Sequence, residues 1–335
     1  MMLTGLNRIF ITVVVSFLAT AAVAAELKIV AAGNIGGTVV FVAQDKGIFV
    51  KHGIDAKLEI RQTGGALSKG LKAGEMDFSI AAFTNLPAAL ERGLKVRAVV
   101  GYTGAAFTKP TSDQFVGVAV NANSGIKSIQ DLKGKKVGVT FGTTGDLYLR
   151  RLLRNNGMKA GDIKRINTRP GSIVSVLDTG GVDAIVTWEP NLTRALDKVK
   201  GAKLVVRGGD QVCFCAMMHA MPEQVYGDKK VTQALVDAMA EAAAYVRNPK
   251  NFDEVTLIAS RYAPGMDHDL AKRVFKYVAF DPRIGGQTYK AWNDTVAELI
   301  AQKKMKKPFD PKNYFDASFI EDTMKRHPDW FADLK

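Results

Sequence analysis

Glycine-rich segments that open helices turn backbone N–H groups towards solvent, and the helix dipole adds a potential that favours an anion. Three loops of this chain fit that description, Gly33-Asn34-Ile35-Gly36-Gly37-Thr38, Thr63-Gly64-Gly65 and Gly142-Thr143-Thr144-Gly145, and Phe83-Thr84-Asn85 joins them as a fourth because it too follows the carboxyl end of a strand, where ligands of open α/β sheets sit. The threonine hydroxyls and the two asparagine amides supply further donors. None of the four is a G-x-G-x-x-G fingerprint or a P-loop, so a nucleotide is not indicated. For Thr38, Thr143 and Thr144 a second reading stays open, namely that each caps the helix it precedes.

Thr187-Trp188-Glu189-Pro190 closes an apolar run and can bring an aromatic wall and a carboxylate to the same place. An isolated tryptophan is ordinarily core. At the carboxyl end of a strand it can instead wall a pocket, because ligands of open α/β sheets sit there. Glu189 is suited to a ligand ammonium or to a basic residue across a cleft. Asp146 is favoured in a first helical turn; facing a cleft, it would oppose a pure anion and suit a zwitterion or an amine. The candidate binding set is therefore Asn34, Gly36, Thr38, Gly64, Gly65, Thr84, Asn85, Thr143, Thr144, Asp146, Trp188 and Glu189. Phe41, Phe83, Phe141 and Tyr148 can add to an aromatic lining, although Phe41 and Tyr148 fit a helix core equally well.

Covalent or metal chemistry has little to stand on. The histidines are His52, His219, His268 and His327, and no nucleophile–base pair is visible. Cys213 and Cys215, with His219 beyond them, lack an evident fourth metal ligand. Neighbours at i and i+2 are poorly placed to bridge each other, so buried free thiols are expected. No cofactor, metal or catalytic residue is expected.

Strands must carry these loops. Apolar runs at Leu27–Ala32, Ala56–Gln62, Phe78–Ala82, Val96–Gly101, Val116–Asn121, Lys136–Thr140, Lys164–Thr168, Ala184–Thr187 and Lys203–Val206 alternate with helical patterns such as Val39–His52 and Gly145–Asn156. Such alternation predicts mostly parallel sheets covered by helices. The pattern also repeats. Lys28-Ile-Val-Ala-Ala-Gly33 is answered by Lys136-Val-Gly-Val-Thr-Phe141, Gly74-Glu-Met-Asp77 by Gly180-Gly-Val-Asp183, and Asn85-Leu86 by Asn191-Leu192, at an offset of about 106–108 residues. Two similar lobes with a cleft between them follow: residues 26–115 with 221–335, and residues 116–220. Asp77 and Asp183 read as structural residues at strand starts. Beyond Met221 the pattern turns to consecutive helices, expected to pack back on the first lobe. Lys303-Lys-Met-Lys-Lys307 reads as a solvated helix end.

The first 25 residues differ from the rest. Arg8 is their only charge, an apolar run follows, and Ala22-Val23-Ala24 fits a cleavage site. A signal peptide cut near Ala24 or Ala25 is expected, leaving about 310 residues, enough for two lobes. The whole chain carries a formal net charge of +13, with Lys and Arg scattered. Scattered cations on an exported chain suit an anionic small ligand or a solvated surface better than nucleic acid.

Together with the export signal, the segments Ala43-Gln44-Asp45-Lys46-Gly47-Ile48-Phe49, Gly74-Glu75-Met76-Asp77-Phe78, Asp131-Leu132-Lys133-Gly134-Lys135-Lys136-Val137-Gly138-Val139 and Val182-Asp183-Ala184-Ile185-Val186-Thr187-Trp188-Glu189-Pro190 resemble the nitrate/sulfonate/taurine group of periplasmic substrate-binding proteins. Relatives of that group bind or synthesise thiamine pyrimidines. The resemblance implies an α/β fold of two Rossmann-like lobes, the type II periplasmic binding protein architecture. It also implies two hinge crossings, closure over a small solute, and delivery by a monomer to an inner-membrane ABC permease with its ATPase. Nitrate, sulfonates, taurine and aminopyrimidine thiamine precursors are the implied solutes, with an aromatic carboxylate as a further alternative. Asp146 departs from the sulfonate-type pattern, which carries a small residue or histidine there. The same architecture hosts enzymes and ligand-sensing receptor subunits, the rival readings.

Overall fold

The computed structural model of the protein describes residues 24–61, 64–107 and 113–334. The expected signal peptide lies outside them up to residue 23. Ten strands alternate with thirteen α-helices among the described residues. The first half holds β1 (Ala25–Ala32), α1 (Thr38–Asp45), α2 (Ile48–Lys51), β2 (Ile54–Arg61), α3 (Gly64–Lys72), β3 (Phe78–Ala82), α4 (Leu86–Glu91) and β4 (Arg97–Thr103). Next come β5 (Val116–Val120), β6 (Lys136–Val139), α5 (Thr144–Asn155), β7 (Lys164–Asn167), α6 (Ile173–Asp178), β8 (Ala184–Trp188), α7 (Asn191–Lys198) and β9 (Lys203–Arg207). The chain ends with β10 (Ala216–Ala220), α8 (Pro222–Gly227), α9 (Lys229–Arg247), α10 (Phe252–Tyr262), α11 (His268–Phe275), α12 (Gly286–Ala301) and α13 (Ser318–Arg326).

The strands form two five-stranded sheets, ordered β2-β1-β3-β10-β4 and β7-β6-β8-β5-β9. In each, the fourth strand runs antiparallel to its neighbours. That strand is the first one entered after a crossing: β5 opens the second sheet and β10 returns the chain to the first. The repeat is therefore physical. Lys28 N–H donates to the Asp77 carboxylate at 2.7 Å while Asp77 N–H donates to the Lys28 carbonyl at 2.9 Å. Lys136 and Asp183 make the same reciprocal pair at 2.7 and 2.9 Å. Each aspartate clamps two parallel strands at their starts, and the loops leaving those strands emerge together at the other end.

Three sequence expectations change here. The chain returns to the first sheet at Ala216, not after Ala220, because the five residues of β10 pair with β3 and β4. The stretch read as one helix from Val39 breaks at Gly47, whose φ of 66° ends α1 and starts α2. Cys213 and Cys215 form a disulfide. The return crossing bends between them and brings their Cα atoms to 5.0 Å, within bridging range, which a straight strand would not do.

Each sheet is covered by its own apolar cluster. The first gathers Ile29, Phe78, Val99 and Met218 with the tail helices; the second gathers Val118, Val137, Val186 and Leu149. The tail lies on the first lobe through α9, which packs on α1, and α13, which packs on α9 and β4. The tail also reaches the second: Leu270, Ala271 and Val274 of α11 join the second cluster, and Arg273 pairs with Asp197 of α7 at 2.7 Å.

Candidate functional site

The loops at the carboxyl ends of the two sheets meet. Thr84, in the turn Phe83–Asn85 after β3, and Thr144, at the start of α5, bring their hydroxyl oxygens to 3.1 Å; both residues are buried. Each comes from a different lobe, so this hydrogen bond joins the lobes. Thr143 occupies the N-cap position of α5, yet its hydroxyl donates to the Thr140 carbonyl at 2.8 Å and caps no N–H. Trp188 stands beside this helix start. A Cβ on Gly145 would lie 3.7 Å from its ring.

Two cavities open where the loops meet. One of about 410 Å³ is walled by Thr84, Ala88 and Arg92 from the first lobe, Leu299, Gln302 and Lys304 from the tail, and Gly142, Thr143, Asp146, Leu147 and Arg150 from the second lobe. A smaller one, of about 80 Å³, sets Asn34 and Arg61 opposite Trp188, Pro170 and Arg194. Both draw residues from both lobes. The larger is within the size range of small-molecule sites.

Several candidates are thus gathered: Thr84, Thr143 and Asp146 around one cavity, Asn34 and Trp188 around the other, and Thr144 between the lobes. Gly36 faces the return crossing, 3.6 Å from the Phe214 ring and the Thr103 methyl by its nearest Cβ position. The Gly36 N–H is already taken by the Asn34 side chain at 2.8 Å. Gly64 and Gly65 open α3, and Asn85 ends the turn after β3; what surrounds these three lies outside the described residues.

Other candidates are spent on the fold. Thr38 is fully buried and donates its hydroxyl to the Ile35 carbonyl, so it cannot reach a solute. Glu189 is also fully buried. Its carboxylate accepts from Arg207 at 2.5 Å and from the amide and hydroxyl of Thr193 at 3.0 and 2.9 Å. The basic partner lies in its own sheet, on β9, and not across the cleft. The aromatic lining also shrinks. Phe41 stacks on Tyr262, Phe83 packs on Trp292 and Phe315, and buried Tyr148 donates to the Gly208 carbonyl. Phe141 lies exposed under Arg165.

Asp146 differs most from its expected role. It is buried, and its carboxylate accepts from Arg165 at 2.7 Å, from Arg150 at 3.3 Å and from the Gly142 amide at 3.2 Å, with the Lys304 ammonium 3.8 Å away. Three cations share one carboxylate. It is not free to receive a ligand ammonium, and it no longer argues for a zwitterion. Burial pushes the Lys304 ammonium down from its ordinary value; Asp146 opposes that, and Arg150 and Arg165 add to it. Arg92, Arg150, Arg165 and Lys304 were missed in sequence. Only Arg150 carried a signal, standing four residues after Asp146 on one helix. Lys304, read as part of a solvated helix end, reaches the second lobe from the tail.

The comparisons with known proteins address this architecture. A family model described as NMT1/THI5 like matches residues 34–252. The chain belongs to that family. This NMT1/THI5-like protein is 26% identical over 309 residues to a protein of Brucella abortus assigned as a binding protein, covering 85% of this chain and 88% of the relative. It is also 26% identical over 293 residues to a protein of Bacillus subtilis assigned as an aliphatic sulfonates-binding protein, covering 85% of each. Among solved structures, the periplasmic aliphatic sulphonate binding protein SsuA from Escherichia coli superposes with a TM-score of 0.72 at 19% identity, over 86% of this chain and 96% of that one. The NMT1/THI5-like chain therefore has the two-lobed periplasmic binding protein fold.

Proposed function

We propose that the protein is the solute-binding component of an ABC importer, working in the periplasm on a small anionic organic solute of the sulfonate type. The observation that carries this reading is the Thr84–Thr144 contact, with the loops of both sheets meeting around it. Residues from both lobes can touch one solute only when the lobes are together. A solute bound there stabilises the closed state by its differential affinity, and the closed surface is what a permease can recognise. Uncapped N–H groups at the start of α5 and the hydroxyls of Thr84, Thr143 and Thr144 are suited to an oxyanion, and Trp188 to the carbon skeleton behind it. The relatives named above support the class. The neutralised Asp146 removes the objection to an anion.

A thermal-shift screen of residues 26–335 tests this. The panel holds alkane- and arylsulfonates, taurine, nitrate, aromatic carboxylates and aminopyrimidines. A solute at about a thousand times its Kd adds about 4 kcal/mol, which moves the transition by several degrees. A sulfonate hit supports the reading. A hit confined to aminopyrimidines replaces the solute class, and a panel without any hit counts against solute capture.

A further inference from the structure

We propose that Phe214 is the floor of the cleft and selects a sulfonate by its carbon skeleton, favouring a flat aromatic one, and that the Cys213–Cys215 disulfide is what positions the ring. The segment belongs to both lobes. Its two cysteines are buried in the apolar cluster of the first lobe, whereas the half-buried ring between them packs on the cluster of the second. There it meets buried Phe115, with ring centroids 4.0 Å apart. The carboxyl edges of both sheets surround it. A Cβ on Gly36, in the loop after β1, would lie 3.6 Å from the ring, and the Thr103 hydroxyl at the end of β4 donates to the Phe214 carbonyl at 3.0 Å. Two backbone hydrogen bonds reach on to the Thr84 turn and to Trp188. Phe83 N–H donates to the Cys215 carbonyl at 3.4 Å, one residue from Thr84, and Glu189 N–H donates to the Phe115 carbonyl at 3.1 Å, one residue from Trp188.

The disulfide sets the direction of the ring. Cross-linking the cysteines on one side of the bend sends the side chain between them to the other. The sulfurs sit tightly against Gly104, where a Cβ would lie 2.9 Å from the Cys215 Sγ and 3.3 Å from the Cys213 Sγ, and where a φ of 103° favours glycine. A ring fixed before the solute arrives loses little freedom on binding. Its face suits an offset aromatic group and offers nothing to the sulfonate oxygens.

Selection by the ring presupposes the sulfonate capture proposed above. Calorimetric titrations would use sodium benzenesulfonate and sodium methanesulfonate. The proteins are residues 26–335 of the wild type, Phe214→Ala, Phe214→Leu, and Cys213→Ala with Cys215→Ala, with urea midpoints checking that each variant folds. The wild type should prefer benzenesulfonate about tenfold or more. Phe214→Ala should cut that preference about fivefold or more, and the cysteine double variant should move it in the same direction. A ring with a merely structural role would shift the urea midpoint and leave the ratio of the two affinities as it was, which overturns the floor. Phe214→Leu keeps apolar bulk without an aromatic face, so the comparison survives if the alanine variant unfolds. An unchanged ratio in the cysteine variant beside a reduced one in Phe214→Ala overturns the disulfide's part. A wild type that binds neither probe, or binds both equally, also overturns selection by the ring. The wider solute panel decides the importer reading separately, so the two failures are told apart.

Discussion

The two lobes share a plan and differ in what they put at the cleft. Each starts from an aspartate clamp on two parallel strands, Asp77 on Lys28 and Asp183 on Lys136. Each sends its loops to the same meeting place. The first lobe closes the loop after β1 with neutral groups, Asn34 onto Gly36 and Thr38 onto Ile35. The second lobe places a charged cluster at the matching loop, Asp146 with Arg150 and Arg165, and buries a second ion pair, Glu189 with Arg207, just behind Trp188. Repetition of the backbone fixes where the loops of the two sheets meet. The side chains that differ between the copies set the charge of that meeting place.

The contrast can be tested first at its buried charges. Glu189→Ala leaves Arg207 without its partner beneath the cleft. A loss of about 3–5 kcal/mol in urea unfolding is expected, because an uncompensated buried charge remains. A loss below about 1 kcal/mol would place Glu189 among the solute's ligands and not among the supports of the fold.

The antiparallel strands differ as well. β5 is wholly apolar, whereas β10 carries His219, fully buried, with Nε2 unpaired and only a 3.3 Å contact from Nδ1 to the Met217 carbonyl. Burial lowers its imidazole from 6.5 to about 4. As the pH falls, the unfolded chain takes up this proton before the folded one does. Stability from the neutral ring is therefore present above about pH 6.5 and lost progressively towards about pH 4. Between pH 7 and pH 5 the loss is about 2 kcal/mol. Urea unfolding at both pH values, in wild type and His219→Leu, should show a weaker pH dependence in the variant. Identical dependence would show that this histidine is not the source.

At the contact between the lobes the expected effects are smaller. Thr84→Val with Thr144→Val removes one hydrogen bond made only when the lobes meet, about 1 kcal/mol, or several-fold in solute affinity. Urea stability without solute should stay within about 0.5 kcal/mol. An unchanged affinity would show that the lobes do not need this contact to close. Trp188→Ala should abolish any fluorescence change that accompanies solute binding. A retained change would move the solute away from this wall.

Much of this arrangement was legible in sequence. Nine of the strands follow from short apolar runs between turn signals, and of the consecutive helices expected beyond Met221, Lys229–Arg247 and Phe252–Tyr262 each end just before a proline, Pro249 and Pro264. β10 was not legible, because Ala216-Met-Met-His-Ala220 has both faces buried and so shows no alternation. Gly47 was readable as a stop only once its positive φ was known. The site was half legible. The loops follow from the strand ends, so Thr84, Thr143 and Trp188 could be nominated. Whether a hydroxyl or carboxylate is free depends on partners far away in sequence, such as Arg207 for Glu189 and Lys304 for Asp146. Periodicity carries no record of those pairs.

Small-angle X-ray scattering of residues 26–335, with and without the solute that most raises the unfolding temperature, tests capture between closing lobes most directly. A smaller radius of gyration with the solute is predicted, and the Thr84→Val, Thr144→Val variant should need a several-fold higher solute concentration to reach the same decrease. A radius unchanged in a wild type that calorimetry shows to be saturated would contradict closure.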